Sequence, residues 1–203
     1  MDDLVEEVVP VGGRDLRLLR PRDAEALLDE EAFAREEFLP YWAELWPSSL
    51  ALARAIAGRA LRGRRTLELG CGLGLPSIAA ALAGGRVLAT DWSPDATRLA
   101  AENARRNAIE LEVMTCAWER PEPLLAAGPW DLVLGADLLY ERRNADALLE
   151  LLPRLAGPAT EIVIAEPGRP PAARFLEQAR QRWSVTSSPA RELPQGAIHT
   201  LRG

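Results

Sequence analysis

Leu67-Glu68-Leu69-Gly70-Cys71-Gly72-Leu73-Gly74-Leu75-Pro76 is the stretch whose reading decides the fold. An apolar run ends in three alternate glycines and passes directly into a segment opened by proline, which suits the first turn of a helix. Glycine lets the backbone turn sharply and approach a ligand closely. A helix beginning at such a turn offers free N–H groups to an electronegative ligand. Asp91 lies 19 positions after Gly72, at the end of the next apolar run, Val87-Leu88-Ala89-Thr90. A carboxylate placed there can accept two hydrogen bonds from a ribose diol. Ser93 and Pro94 then supply a cap and first turn for the following helix.

Downstream, short apolar runs alternate with alanine-rich helical segments. The runs are Thr66–Leu69, Arg86–Thr90, Leu111–Thr115, Trp130–Ala136 and Thr160–Ala165. The helical segments fall at about Pro76–Ala83, Pro94–Asn107, Arg143–Ala156 and Pro171–Arg182. Such alternation predicts a parallel sheet with helices on both faces. Strands covered on both faces should be apolar at nearly every residue, and these are. Ser184–Ser188 and Ala197–Leu201 are weaker strand candidates. Upstream, Val5–Leu19 reads as a β-hairpin turning at Gly12-Gly13. Pro21–Phe38 has helical spacing, and Pro47 opens a further helix that runs to about Ala57, before Gly58. The expected division is a hairpin and helical extension over residues 1–60 and a ligand-binding core over 61–203.

Composition removes several functions. Thirty acidic residues outnumber 24 basic ones, giving a net charge of −6, so non-specific nucleic-acid binding is not expected. No apolar run is long enough to span a membrane. The acidic N-terminus does not resemble an export signal, so a cytoplasmic location is expected. The two cysteines, Cys71 and Cys116, form no CxxC pair, and His199 is the single histidine. No disulfide framework and no metal site is therefore expected. Lysine is absent, which excludes a P-loop and Schiff-base chemistry. We read that absence as part of an arginine- and alanine-rich composition.

The glycine spacing departs from the dinucleotide pattern G-x-G-x-x-G, because Leu75 stands where the third glycine would be. Glu68 suits a cationic ligand better than a pyrophosphate. Leu-Glu-Leu-Gly-Cys-Gly-Leu-Gly followed by Asp91 resembles the first two motifs of class I methyltransferases, which bind S-adenosylmethionine. Tyr41-Trp42-Ala43-Glu44-Leu45-Trp46-Pro47-Ser48-Ser49 resembles the pre-core motif of the seven-β-strand methyltransferase family 16. Gly135-Ala136-Asp137-Leu138-Leu139-Tyr140 resembles its D/E-x-x-Y motif, and Glu166-Pro167-Gly168-Arg169 the loop after strand five in bacterial relatives. Proteins of this kind include protein-lysine methyltransferases, among them those acting on the electron-transfer flavoprotein β-subunit. Nicotinamide N-methyltransferase-like proteins carry related motifs.

The resemblance implies an α/β fold: a three-layer αβα, Rossmann-like sheet of seven mostly parallel strands. It implies S-adenosylmethionine as methyl donor and S-adenosylhomocysteine as product. Glu68 would lie beneath the amino-group side of the methionine end, Gly70 and Gly72 would line the donor, and Asp91 would hold the ribose. Trp46, Trp118 and Ala136 would touch the donor, with Cys71 and Trp92 in the same two loops counted among the binding residues. Asp137 and Tyr140 would face the methyl acceptor. That acceptor is expected to be a lysine side chain of a protein, or alternatively a small-molecule amine, with the enzyme a monomer. A non-catalytic nucleotide-binding module is the reading from a different class. An NAD-dependent oxidoreductase is disfavoured by Leu75, by Glu68 and by the lack of a proton-transfer constellation. Cys71 is read as a small loop residue rather than a nucleophile, Trp130 and Trp183 as packing, and Arg169 and His199 as surface residues without a role.

Overall fold

A computed structural model describes residues 3–24 and 41–203. Strands β1 (Leu4–Val11) and β2 (Arg14–Pro21) form an antiparallel hairpin. Its two-residue turn, Gly12-Gly13, has φ of 58° and 78°, the handedness that matches the twist of the flanking strands. Pro21 closes β2, and the rest of the helix expected over Pro21–Phe38 falls outside the described residues from residue 25 on. After a 3-10 turn at Tyr41–Ala43, helix α1 spans Pro47–Ala57 with Trp46 at its N-cap, as the proline predicted.

The remaining chain alternates as expected. Strand β3 (Arg65–Leu69) leads to α2 (Leu75–Leu82), β4 (Arg86–Asp91), α3 (Pro94–Arg106) and β5 (Glu112–Thr115). A short helix α4 (Glu122–Ala126), absent from the sequence reading, precedes β6 (Leu132–Ala136). Then come α5 (Arg142–Leu155), β7 (Glu161–Glu166), α6 (Pro170–Ala179), β8 (Ser184–Ser188) and β9 (Ala197–Arg202). Seven strands form one sheet in the order β5-β4-β3-β6-β7-β9-β8. The first five are parallel, and β9 runs antiparallel between β7 and β8.

Two apolar clusters cover the two faces. Leu132, Leu134 and Val163 pack with Leu52, Ile56 and Ile78 of α1 and α2 and with Leu16 and Leu18 of the hairpin. Their strand neighbours Val133, Ile162 and Ile164 point the other way, against Leu148, Leu152 and Phe175 of α5 and α6. Alternate residues of one strand thus enter different cores, so β6 and β7 show no polar period. Trp130 and Trp183 are buried in the second cluster, as packing residues. Among the described residues no helix is long and apolar enough to cross a membrane.

The strand order reverses at β3, which has β4 on one side and β6 on the other. A crevice opens beyond the carboxyl ends of strands at such a switch point. The hairpin is tied to this region by Asn103 of α3 and by Asn107 at its C-cap. Asn103 accepts from the Leu19 N–H at 2.6 Å, and its amide donates to the carbonyls of Leu19 and Leu73, both at 3.0 Å. Asn107 likewise accepts from the Arg17 N–H and donates to the Arg17 carbonyl. These side chains satisfy the β2 edge as a neighbouring strand would. Leu73 belongs to the glycine loop, so Asn103 joins hairpin and loop. Asn103→Ala is expected to destabilise the chain by about 2–3 kcal/mol in urea unfolding, because buried backbone groups lose their partners.

Candidate active site

The turn between β3 and α2 places Gly70, Gly72 and Gly74 at φ of 61°, 49° and 83°. A Cβ on Gly72 would stand 3.1 Å from the Trp42 carbonyl oxygen, and one on Gly74 would stand 2.8 Å from the Ala100 Cβ. The loop therefore fits between the 41–46 segment and α3 only without side chains there. Asp91, at the end of β4, closes it: one carboxylate oxygen accepts from the Gly72 N–H and the other from the Ser93 N–H, each at 3.0 Å. Burial raises the Asp91 pKa, while N–H groups of Ser93, Gly72 and Trp92 pull it back. Ser93 caps α3 through the Ala96 N–H.

Glu68 points to the base of the same crevice and is 1% exposed. Its carboxyl accepts from the Ser77 hydroxyl of α2. Burial pushes its pKa up to about 8, and the Asp91 charge adds to that. The Cys71 thiol is pushed well above its usual range by burial and by the Asp91 and Glu68 charges, so it is no nucleophile.

Across the crevice, Asp137 follows β6 in the left-handed region, at φ 53°, with its N–H held by the Ala165 carbonyl at 2.8 Å. Such a conformation is uncommon for a residue with a side chain and is kept where the surroundings enforce it. Its buried carboxylate is gripped by the fork of Arg169, with Nε and Nη2 donating at 3.0 and 3.1 Å. The Arg169 guanidinium carbon also lies 5.6 Å from the Trp46 ring centroid. Trp46 donates to the Tyr41 carbonyl at 2.7 Å, and the Tyr41 and Tyr140 rings meet edge to face with centroids 5.1 Å apart. Burial raises the Tyr140 pKa, so its hydroxyl stays protonated.

Every residue expected at the site lines one cavity of about 400 Å³. That lies within the ~300–1,000 Å³ range of ligand pockets. Gly70, Cys71 and Gly72 supply one wall and Ala136 the facing strand end. Trp118 follows β5 and packs against the α5–α6 cluster, while Trp92 is 42% exposed. Glu44, Glu119 and Glu141 also line the cavity, together with Tyr41.

A profile described as lysine methyltransferase matches residues 41–182. The chain belongs to the lysine methyltransferase family. The match begins at the 3-10 turn and ends after α6, so it takes in every wall of the cavity. Among relatives of this family member, the electron transfer flavoprotein beta subunit lysine methyltransferase of Xenopus laevis is 36% identical over 164 residues, 75% of this chain and 64% of that protein. Protein N-lysine methyltransferase METTL21A of Danio rerio is 38% identical over 132 residues, covering 62% of this chain and 60% of that one. The chain thus spans less than two thirds of the length of these relatives. Among solved structures, the Thermus thermophilus 16S rRNA N2 G1207 methyltransferase, in complex with AdoMet and guanosine, superposes with a TM-score of 0.72. That likeness covers 100% of this chain and 51% of that one at 14% identity, and it shows the fold.

Two corrections concern the tail of this methyltransferase-family chain. Arg169 is not a bystander at the surface, since it lines the cavity and binds Asp137. His199 is buried on β9, where its Nε2 lies 3.2 Å from Glu166 and its Nδ1 2.8 Å from the Ser187 hydroxyl. Glu166 in turn accepts from the N–H groups of Gly168 and Arg169 at 2.7 and 3.0 Å, which aims Arg169 at Asp137. Burial alone would raise the Glu166 pKa, but the bonds from His199, Gly168 and Arg169 outweigh it and hold the carboxylate ionised. The Glu-Pro-Gly-Arg loop was the one sequence signal pointing to this cluster.

Proposed function

We propose that the chain is an S-adenosylmethionine-dependent methyltransferase whose acceptor is a lysine ε-amine of a protein. The observation that carries this reading is the meeting, in one crevice, of a glycine-rich loop clamped by Asp91, a buried carboxyl at Glu68 and the Asp137–Tyr140 wall. The residues suit that donor on their own chemistry. Gly70 and Gly72 bring bare backbone to the cavity wall, Asp91 has lone pairs for a diol, and Glu68 lacks a cation that an amino-acid end would bring.

S-adenosylmethionine, when bound, supplies a methyl group on a cationic sulfur, open to in-line attack by a lone pair. The chain itself supplies position and charge. Asp91 and the glycine loop would hold the sugar, and Glu68 the ammonium group. Asp137 offers carboxylate lone pairs to an amine N–H and so orients it. Arg169 cancels the charge of Asp137, which matters because a lysine must lose a proton before it attacks. With a reference pKa near ~10.4, that loss costs on the order of 4 kcal/mol at neutral pH. An unpaired carboxylate would increase the cost, and a guanidinium reduces it. Tyr41, Trp46 and Tyr140 give the acceptor side an aromatic wall.

The mouth favours a protein over a metabolite. Glu44 and Glu119 are exposed there beside Tyr41 and Trp92, an acidic and aromatic rim suited to a basic segment. The test is transfer of tritiated methyl from S-adenosylmethionine into a cell lysate, with proteins separated from small molecules. Label is expected in methyl-lysine of protein bands. Asp137→Ala is expected to cut turnover by about 100-fold, the scale of a lost positioning contact, with S-adenosylhomocysteine affinity intact. Label confined to the low-mass fraction would favour a small-molecule amine instead.

A further inference from the structure

Glu68 has a property that its place in a donor site does not by itself require. Its carboxyl is buried on β3 and accepts a hydrogen bond from Ser77 of α2. The groups facing it are of the wrong sign. Asp91 stands at the end of the neighbouring strand, β4, and the Cys71 thiol follows in the glycine loop. Glu44 lies on the segment above the cavity, and Asp137 lies on the β6 side. Two arginines line the cavity. Arg169 is committed to Asp137, and Arg143 lies 2.5 Å from Glu141. No salt bridge reaches Glu68 among the described residues. A carboxyl so placed is more stable with its proton than without it.

We infer that Glu68 selects the cationic amino-acid end of the donor by exchanging its own proton for that ammonium group. The inference rests on the cofactor reading above and goes beyond it. In the free protein Glu68 is a neutral acid, with Ser77 donating to its carbonyl-type oxygen. On binding, the O–H bond breaks and the proton leaves to solvent. The resulting carboxylate then accepts an N–H of the incoming ammonium group. No covalent bond to the ligand forms. The paired carboxylate is now compensated, so the buried charge no longer carries an uncompensated desolvation cost. A ligand without the ammonium group leaves Glu68 protonated and forgoes the pairing.

The sign of the pH dependence follows. The free protein holds one more proton than the complex, so affinity for an ammonium-bearing ligand rises with pH until Glu68 ionises unaided. The rise is about tenfold per pH unit below that point and flattens above it. The placement of Glu68, with burial holding its pKa near about 8 in the free protein, puts the change in the range around neutrality.

The experiment is calorimetric titration of the whole chain with S-adenosylhomocysteine near neutral pH, in two buffers of different ionisation enthalpy. Release of close to one proton per ligand is expected. For 5′-methylthioadenosine, which keeps the nucleoside and sulfur but lacks the amino acid, none is expected. Glu68→Gln should bind S-adenosylhomocysteine with no proton release and an affinity that is flat in pH. Binding of S-adenosylhomocysteine by the wild type without proton release overturns the inference and leaves the cofactor reading standing. A failure of S-adenosylhomocysteine to bind overturns both. A carbon-detected NMR titration of the Glu68 carboxyl in the free wild-type chain needs no variant. A midpoint well above the ordinary glutamate range supports the exchange, and an ordinary midpoint overturns it.

Discussion

Asp91→Ala is expected to weaken binding of S-adenosylhomocysteine by about 100-fold or more, because the two charge-assisted hydrogen bonds proposed to the ribose, at ~1.5 kcal/mol or more each, would be lost together. Part of the effect comes through the protein. The same carboxylate holds the N–H groups of Gly72 and Ser93, so its removal frees the glycine loop and the entry to α3. Asp91→Asn separates the two contributions. An amide retains one acceptor oxygen and can keep one loop contact, so its loss of affinity should be smaller than that of alanine, with a melting temperature closer to wild type. Calorimetry with S-adenosylhomocysteine and thermal unfolding of both variants make the comparison. An Asp91→Ala protein that binds as tightly as wild type would remove the ribose role assigned to this residue.

Gly74→Val should be strongly destabilising, at about 2–5 kcal/mol. A β-branched residue in the left-handed region costs ~1–2 kcal/mol, and forcing atoms into a filled space costs a further ~1–3 kcal/mol. At Gly74 the obstruction is backbone as well as side chain, because a Cβ would meet the Ala100 Cβ at 2.8 Å and its Cα at 3.1 Å. Neither can yield without shifting α3. Gly70 is the informative contrast. There the Cβ would meet the Leu138 Cδ2 at 2.6 Å, the end of a side chain rather than backbone. Gly70→Ala should therefore cost mainly the conformational penalty. Urea unfolding curves of the two variants should differ in midpoint in that order. Equal midpoints would mean that α3 gives way as readily as a leucine side chain.

The glycine loop and Asp91 were legible in the sequence because their signal is local. Three glycines in the six residues between an apolar run and a proline leave few backbone paths. An acid one strand later falls beside them in any right-handed crossover. The α1 start at Pro47 was legible for the same reason. The short helix α4 was missed because Pro121 and Pro123 flank and interrupt too few residues to show a period. Arg169 and His199 were misjudged because nothing near them in the chain marks them. Arg169 finds Asp137 across 32 residues, and His199 finds Glu166 across 33. Asp137 was singled out from its motif, yet the motif does not show that its charge is already answered.

The sequence by itself determined the succession along the chain of the strands and the longer helices from Pro47 on, the hairpin at Gly12-Gly13, and the glycine loop and Asp91 that line one wall of the crevice. These follow from apolar periodicity and from backbone freedom, which act between neighbours. Only the tertiary structure decided the charge pairing on the opposite wall, where Arg169 meets Asp137. Strand β9 returns antiparallel between β7 and β8, bringing His199 beneath Glu166, and that contact turns Arg169 onto Asp137. Strand order and side-chain pairing across a sheet are settled by the packing of the whole molecule. The free energy that fixes them exists only once distant segments have met.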